Sequence, residues 1–117
     1  MDTFTKQYIA TALWSTNDES TPSGGVPLDR KYGVKDIAPE CLAKMVADCA
    51  KFQAENADYI ASDLENAGHD FWLTRNGHGA GFWDGDWPEH VGGYLTVQSK
   101  KYGEFNLYVG DDGKIYS

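Results

Sequence analysis

The sequence predicts an α+β domain with the element order α-α-ββ-α-ββ, an antiparallel sheet covered on one face by its helices. Three observations carry this expectation. Apolar residues recur at helical spacing over 3–14 and again over 38–62. The stretch 70–84 alternates apolar and polar residues around an Asn-Gly pair. The chain closes on two short β-type runs either side of Gly110-Asp111-Asp112-Gly113. At 117 residues the chain is expected to form a single domain over 1–117.

The first helix is read from Phe4, Tyr8, Ile9, Ala12 and Leu13, which share one face, with Asp2 or Thr3 placed to cap it. Residues 15–31 hold Ser, Thr, Pro and Gly without periodicity and read as an exposed loop. Asp36 then precedes Ala38-Pro39-Glu40, with proline in the first helical turn, where its missing donor costs least. Leu42, Met45, Val46, Cys49 and Phe52 follow as the apolar stripe of a helix reaching about residue 62. Its outer face carries Lys44, Asp48, Lys51 and Glu55. Met45 and the thiols read as core.

Cys41 and Cys49 are eight residues apart on that helix, which separates them by ~12 Å at the usual rise. A disulfide needs Cα atoms within ~7 Å, so both are expected to be reduced structural thiols, as in a reducing compartment. With no CxxC and no third cysteine, they are not expected to bind zinc.

A β-hairpin is expected over 70–84. Phe71, Leu73 and Arg75 fall on one side of its first strand and Asp70, Trp72, Thr74 and Asn76 on the other. Asn76-Gly77 with Gly79 and Gly81 supply the turn, and Phe82-Trp83-Asp84 resume the strand. A weaker helix over 90–102 points Val91, Leu95 and Tyr102 inward and stops at Gly103. The second hairpin pairs residues 105–109 with 114–116.

Eighteen acids against ten bases give a net charge of −8, which argues against direct nucleic-acid binding through the backbone. The acids are dispersed. They read first as a solubilising surface, and in a minority reading as a nucleic-acid mimic, although no run exceeds two consecutive acids. No apolar run is long enough to span a bilayer, and the N-terminus lacks the basic start and cleavage site of a signal peptide, so the expected location is cytoplasmic.

Residues 69–87 are unusual in composition, with three of the four tryptophans and four glycines. Tryptophan faces stack, an arginine fork grips an anion, and histidine donates, so this segment is the candidate ligand site. Its candidate contacts are Trp72, Arg75, Asn76, His78, Trp83 and Asp84. Each has a structural alternative. Small sheets fill their cores with aromatics; Arg75 would pair with a carboxylate such as Asp84; His69 would hydrogen-bond Asp70; Asp84 and Asp86 would form turns. The chain carries no G-x-S-x-G, HxH, HExxH, P-loop or calcium-loop spacing, so no catalytic residue, metal ligand or cofactor is assigned.

Residues 36–40 (DIAPE), 67–87 (AGHDFWLTRNGHGAGFWDGDW) and 105–117 (FNLYVGDDGKIYS) resemble small accessory proteins of tailed bacteriophages and prophages. The resemblance covers most of the chain. It departs at residues 63–66, which are short beside the family and leave the end of the long helix open. It implies a context, an accessory factor acting inside the host cell, rather than an activity. Three functions follow as expectations. The first is a phage protein that counters host defence by sequestering a nucleotide-type small molecule on the 69–87 hairpin. The second is an acidic inhibitor that blocks a host defence protein, using acids such as Asp58, Asp63, Glu65, Asp84 and Asp86. The third is a small metal-dependent hydrolase using His78 and Asp84. An open sheet edge would allow a homodimer.

Overall fold

Four helices carry the core of the computed structural model, which describes residues 1–20 and 25–117. Helix α1 (Thr3–Ser15) starts at Asp2, whose carboxylate accepts the Thr5 amide at 2.8 Å. It buries Phe4, Tyr8, Ile9, Ala12 and Leu13, the face its periodicity predicts, and leaves Trp14 outside at 56% exposure. Of the loop expected over 15–31, residues 21–24 lie outside the described residues. The remainder is ordered into a short antiparallel pair, β1 (Asn17–Asp18) with β2 (Val26–Pro27), and a 3₁₀ turn that buries Leu28.

Helix α2 (Pro39–Ile60) begins on its proline and buries Cys41, Met45, Cys49, Phe52, Asn56 and Ile60 along one stripe. Val46, expected on that stripe, faces outward. The helix is broken at Asn56, whose backbone is non-helical (φ −126°, ψ 17°). The Asn56 side chain donates to the Phe52 carbonyl at 2.9 Å, while its own buried carbonyl oxygen has no partner. Both cysteines are free and buried. Burial pushes the Cys49 thiol up to about 12, so its thiolate is scarce at neutral pH. Native protein at neutral pH is therefore expected to resist iodoacetamide at Cys49 and to label there only once denatured. Rapid labelling in the native state, read by mass spectrometry, would contradict the assignment.

The hairpin expected over 70–84 is not formed. Residues Leu64–Arg75 form helix α3, capped by Asp63, whose carboxylate accepts the Asn66 amide at 3.1 Å. From Ala67 onward nearly every residue of α3 is buried, including Gly68, Asp70, Thr74 and Arg75. A helix enclosed on all sides has no amphipathic stripe, so its apolar and polar residues alternated by accident in a pattern that imitates a strand. The enclosure begins at Gly68, where a Cβ would collide with the Phe4 carbonyl oxygen, so α1 and α3 lie backbone to backbone there. Residues 76–88 are irregular.

Helix α4 (Glu89–Lys100) matches its prediction to within two residues, and Gly103 adopts the positive φ (72°) of a helix stop. The closing hairpin forms but is shorter than predicted, β3 (Tyr108–Val109) against β4 (Ile115–Tyr116), with residues 105–107 outside the strand. The fold is thus mixed α+β, but the middle hairpin is a helix and, among the described residues, no single sheet lies under the helices. The two strand pairs are separate, and the helices pack on one another, chiefly α1 on α3. Stacked rings fill the centre, with Phe52 and Phe71 centroids 4.1 Å apart. The β4 strand of the closing hairpin meets residues 37–38 at a single bridge, where the Ala38 amide donates to the Ile115 carbonyl at 2.8 Å. Among the described residues, no helix is long and apolar enough to cross a membrane.

Candidate functional site

The six candidate contacts divide into two groups of three. Trp72, on α3, is 2% exposed, sits edge-on to Tyr8 and donates its indole N–H to Ser15 Oγ at 2.8 Å. Arg75, one turn on, is 5% exposed and spends four of its N–H groups inside the fold. Nε donates to the Gly103 carbonyl (2.9 Å), one terminal nitrogen to Tyr8 Oη (3.0 Å) and Asp48 (2.9 Å), and the other to the Tyr102 carbonyl (3.0 Å). The expected pairing with Asp84 is replaced by Asp48, because α3 turns Arg75 toward α2. Asn76 donates to the Trp72 carbonyl and accepts from the Phe105 amide. In the structure these three residues join elements of the fold together.

His78, Trp83 and Asp84 are exposed on the irregular 76–88 segment. That segment is anchored by its buried aromatics. The Phe82 amide donates to Thr74 Oγ1 at 3.1 Å, and Phe82 meets Trp87 edge to face at 5.6 Å. Gly92 of α4 admits this contact: a Cβ there would sit 2.5 Å from the Phe82 carbonyl oxygen. The Trp87 indole donates to Asp70 Oδ2 at 2.8 Å. Asp84 accepts the Gly81 amide at 3.3 Å, the turn-forming role expected of it.

The anchored segment brings acids together that are distant in sequence. One carboxylate oxygen each from Asp70, Asp84 and Asp86 lies within 4.8 Å of the others. Asp70 is buried, and desolvation raises its pKa; the donors Trp87 and His69 work against that rise, and the neighbouring Asp84 adds to it. Three hard oxygen donors at this spacing are the set from which magnesium or calcium sites are made. Both Asp70 oxygens are already engaged, however, by the Trp87 indole and by His69 Nδ1 at 3.1 Å. His78, expected to act with Asp84, is not a member of this trio.

Beside the trio runs an open groove of about 550 Å³ lined by Gln7, Asp63, Glu65, Asn66, His69 and Asp86. Among the described residues, neither lysine nor arginine lines it. Comparison of the chain with protein-family models, curated proteins and solved structures finds no match. The site therefore rests on its own geometry. Asp63 and Glu65 arrive from the start of α3, Asp84 and Asp86 from the 76–88 segment. The sequence named all four as dispersed acids, and what it hid was their convergence, which depends on residues 64–75 being a helix. Gln7 and Asn66 went unremarked. Trp14 carried a readable signal, since it is a large aromatic off the apolar face of α1.

Proposed function

We propose that this chain is a phage accessory protein that acts by binding, presenting the acidic groove at the α3 N-terminal end to a basic surface of a host defence protein. The observation that carries this reading is that Asp63, Glu65 and Asp86 line one groove, with Asp84 beside Asp86 at its rim, and that among the described residues no lysine or arginine lines it. Clustered charge of one sign steers and orients a partner of the opposite sign. The phage and host context comes from the resemblance of residues 36–40, 67–87 and 105–117. Sequestration of a nucleotide-type molecule has lost its anchors, since Trp72 and Arg75 are buried, and the acids around the groove would repel a phosphate.

The test is phage plating on a panel of strains that each carry one defence system. Wild-type protein is expected to restore plating on at least one strain. The D63N/E65Q/D84N/D86N variant should keep its fold and lose the rescue, with affinity for the captured partner falling on the order of tenfold or more. Binding of the wild type should weaken with added salt. Full rescue by the variant, or salt-insensitive binding, would overturn the reading.

A further inference from the structure

The acidic groove does not end at His69. A second cavity of about 330 Å³ adjoins it, lined by Gln7, Ala10, Thr11, Trp14, Asp29 and His69. The two share Gln7 and His69, so they form one trough along the outer side of α1. Its two ends differ in chemistry. The α3 end is carboxylate and amide. The far end has an exposed indole, a single carboxylate, and the methyl of Ala10 for a floor. Trp14 is 56% exposed, and its ring lies 6.3 Å from that of His69, tilted by 34°. The indole therefore presents much of its surface to the cavity and to water.

We propose that this far end is a receptor for an arginine side chain, so that the trough as a whole takes an arginine-bearing basic segment of the partner protein. Charge complementarity selects the occupant. The trough is walled by Asp29, Asp63, Glu65 and Asp86, and among the described residues neither cavity is lined by a lysine or arginine. The indole then discriminates between the two basic side chains. A planar guanidinium stacks on an indole face while its edge donors reach a carboxylate, whereas an ammonium is a compact, strongly hydrated charge without a face to stack. Asp29 supplies the carboxylate. The Gln7 amide, whose nitrogen leans on Thr11 Oγ1 at 3.5 Å, leaves its oxygen as an acceptor, and Ala10 underlies the aliphatic stem. The remaining carboxylates hold the rest of the segment by charge alone.

The inference rests on the binding reading above and deepens it. It is tested by titrating the full chain with two peptides of equal length and charge, one alternating arginine with glycine and the other lysine with glycine. The arginine peptide is expected to bind about tenfold more tightly. Trp14→Ala, an exposed position whose loss leaves the core intact, should bring the arginine peptide down to the level of the lysine peptide and leave the latter unchanged. Asp29→Asn should weaken the arginine peptide selectively. Equal binding of both peptides, insensitive to Trp14→Ala, would overturn the arginine receptor while leaving the acidic groove standing. Binding of neither peptide would overturn both.

Discussion

Replacing Arg75 by alanine is expected to destabilise the fold by about 3–5 kcal/mol, the scale of a core truncation that also strands buried acceptors; its ion pair with the part-exposed Asp48 adds less. The side chain joins four parts of the chain: Tyr8 on α1, Asp48 on α2, its own helix α3, and the Tyr102 and Gly103 carbonyls after α4. Its guanidinium also lies 5.2–5.6 Å from the ring centroids of Phe71, Tyr102 and Phe105. Truncation leaves buried acceptors without donors and opens a void beneath three rings. Arg75→Lys should recover little, because an ammonium on a flexible stem cannot serve the Tyr8, Asp48 and two carbonyl positions at once. Urea unfolding measures both. A midpoint for Arg75→Ala close to that of the wild type would show that the four contacts contribute nothing net.

Gly68→Ala is the second large effect. A Cβ at this position meets the carbonyl oxygen, carbonyl carbon and Cα of Phe4, all backbone atoms that no rotamer change can move. The α1–α3 seam must separate to admit one methyl, for an expected loss of about 3 kcal/mol, the upper end of what overpacking costs. Gly93→Ala is the matched control. Gly93 lies within α4 with nothing near its missing Cβ, so alanine there should raise stability by about 0.5–1 kcal/mol through helix propensity. Thermal melts of the two variants should therefore move in opposite directions. A Gly68→Ala protein that melts with the wild type would mean that the seam is looser than the close approach implies.

These two residues also explain which parts of the fold were legible. Helices α1, α2 and α4 have one buried face each, so the spacing of Phe4, Tyr8 and Leu13, or of Met45, Cys49 and Phe52, reports it directly. The closing hairpin was legible from its Gly-Asp-Asp-Gly turn. Helix α3 was not, because a helix buried all round loses its period. Its polar residues face inward, satisfied by partners distant in sequence: Asp70 by Trp87 and Arg75 by Asp48. The candidate site inherited that misreading. Arg75 and Trp72 drew attention as unusual residues, and they are unusual because the core uses them. The acids on the groove looked ordinary one by one, and only the turn into α3 sets Asp63 and Glu65 opposite Asp86.

The break at Asn56 bears on how that groove can behave. A continuous helical ladder opens cooperatively, but a non-helical residue in its interior interrupts the chain of amide-to-carbonyl bonds. Asn56 also holds a buried carbonyl oxygen without a donor, a cost that is relieved when the turn opens to water. The last turn of α2 is thus set apart in direction from the body of the helix before it, while Ile60 in the core and Tyr59 against Tyr94 hold it in place. It leads through residues 61–62 into Asp63 and Glu65. The break therefore sets the direction in which the chain enters α3, and with it the position of the corner that carries half of the acidic set, while Arg75 ties the interior together.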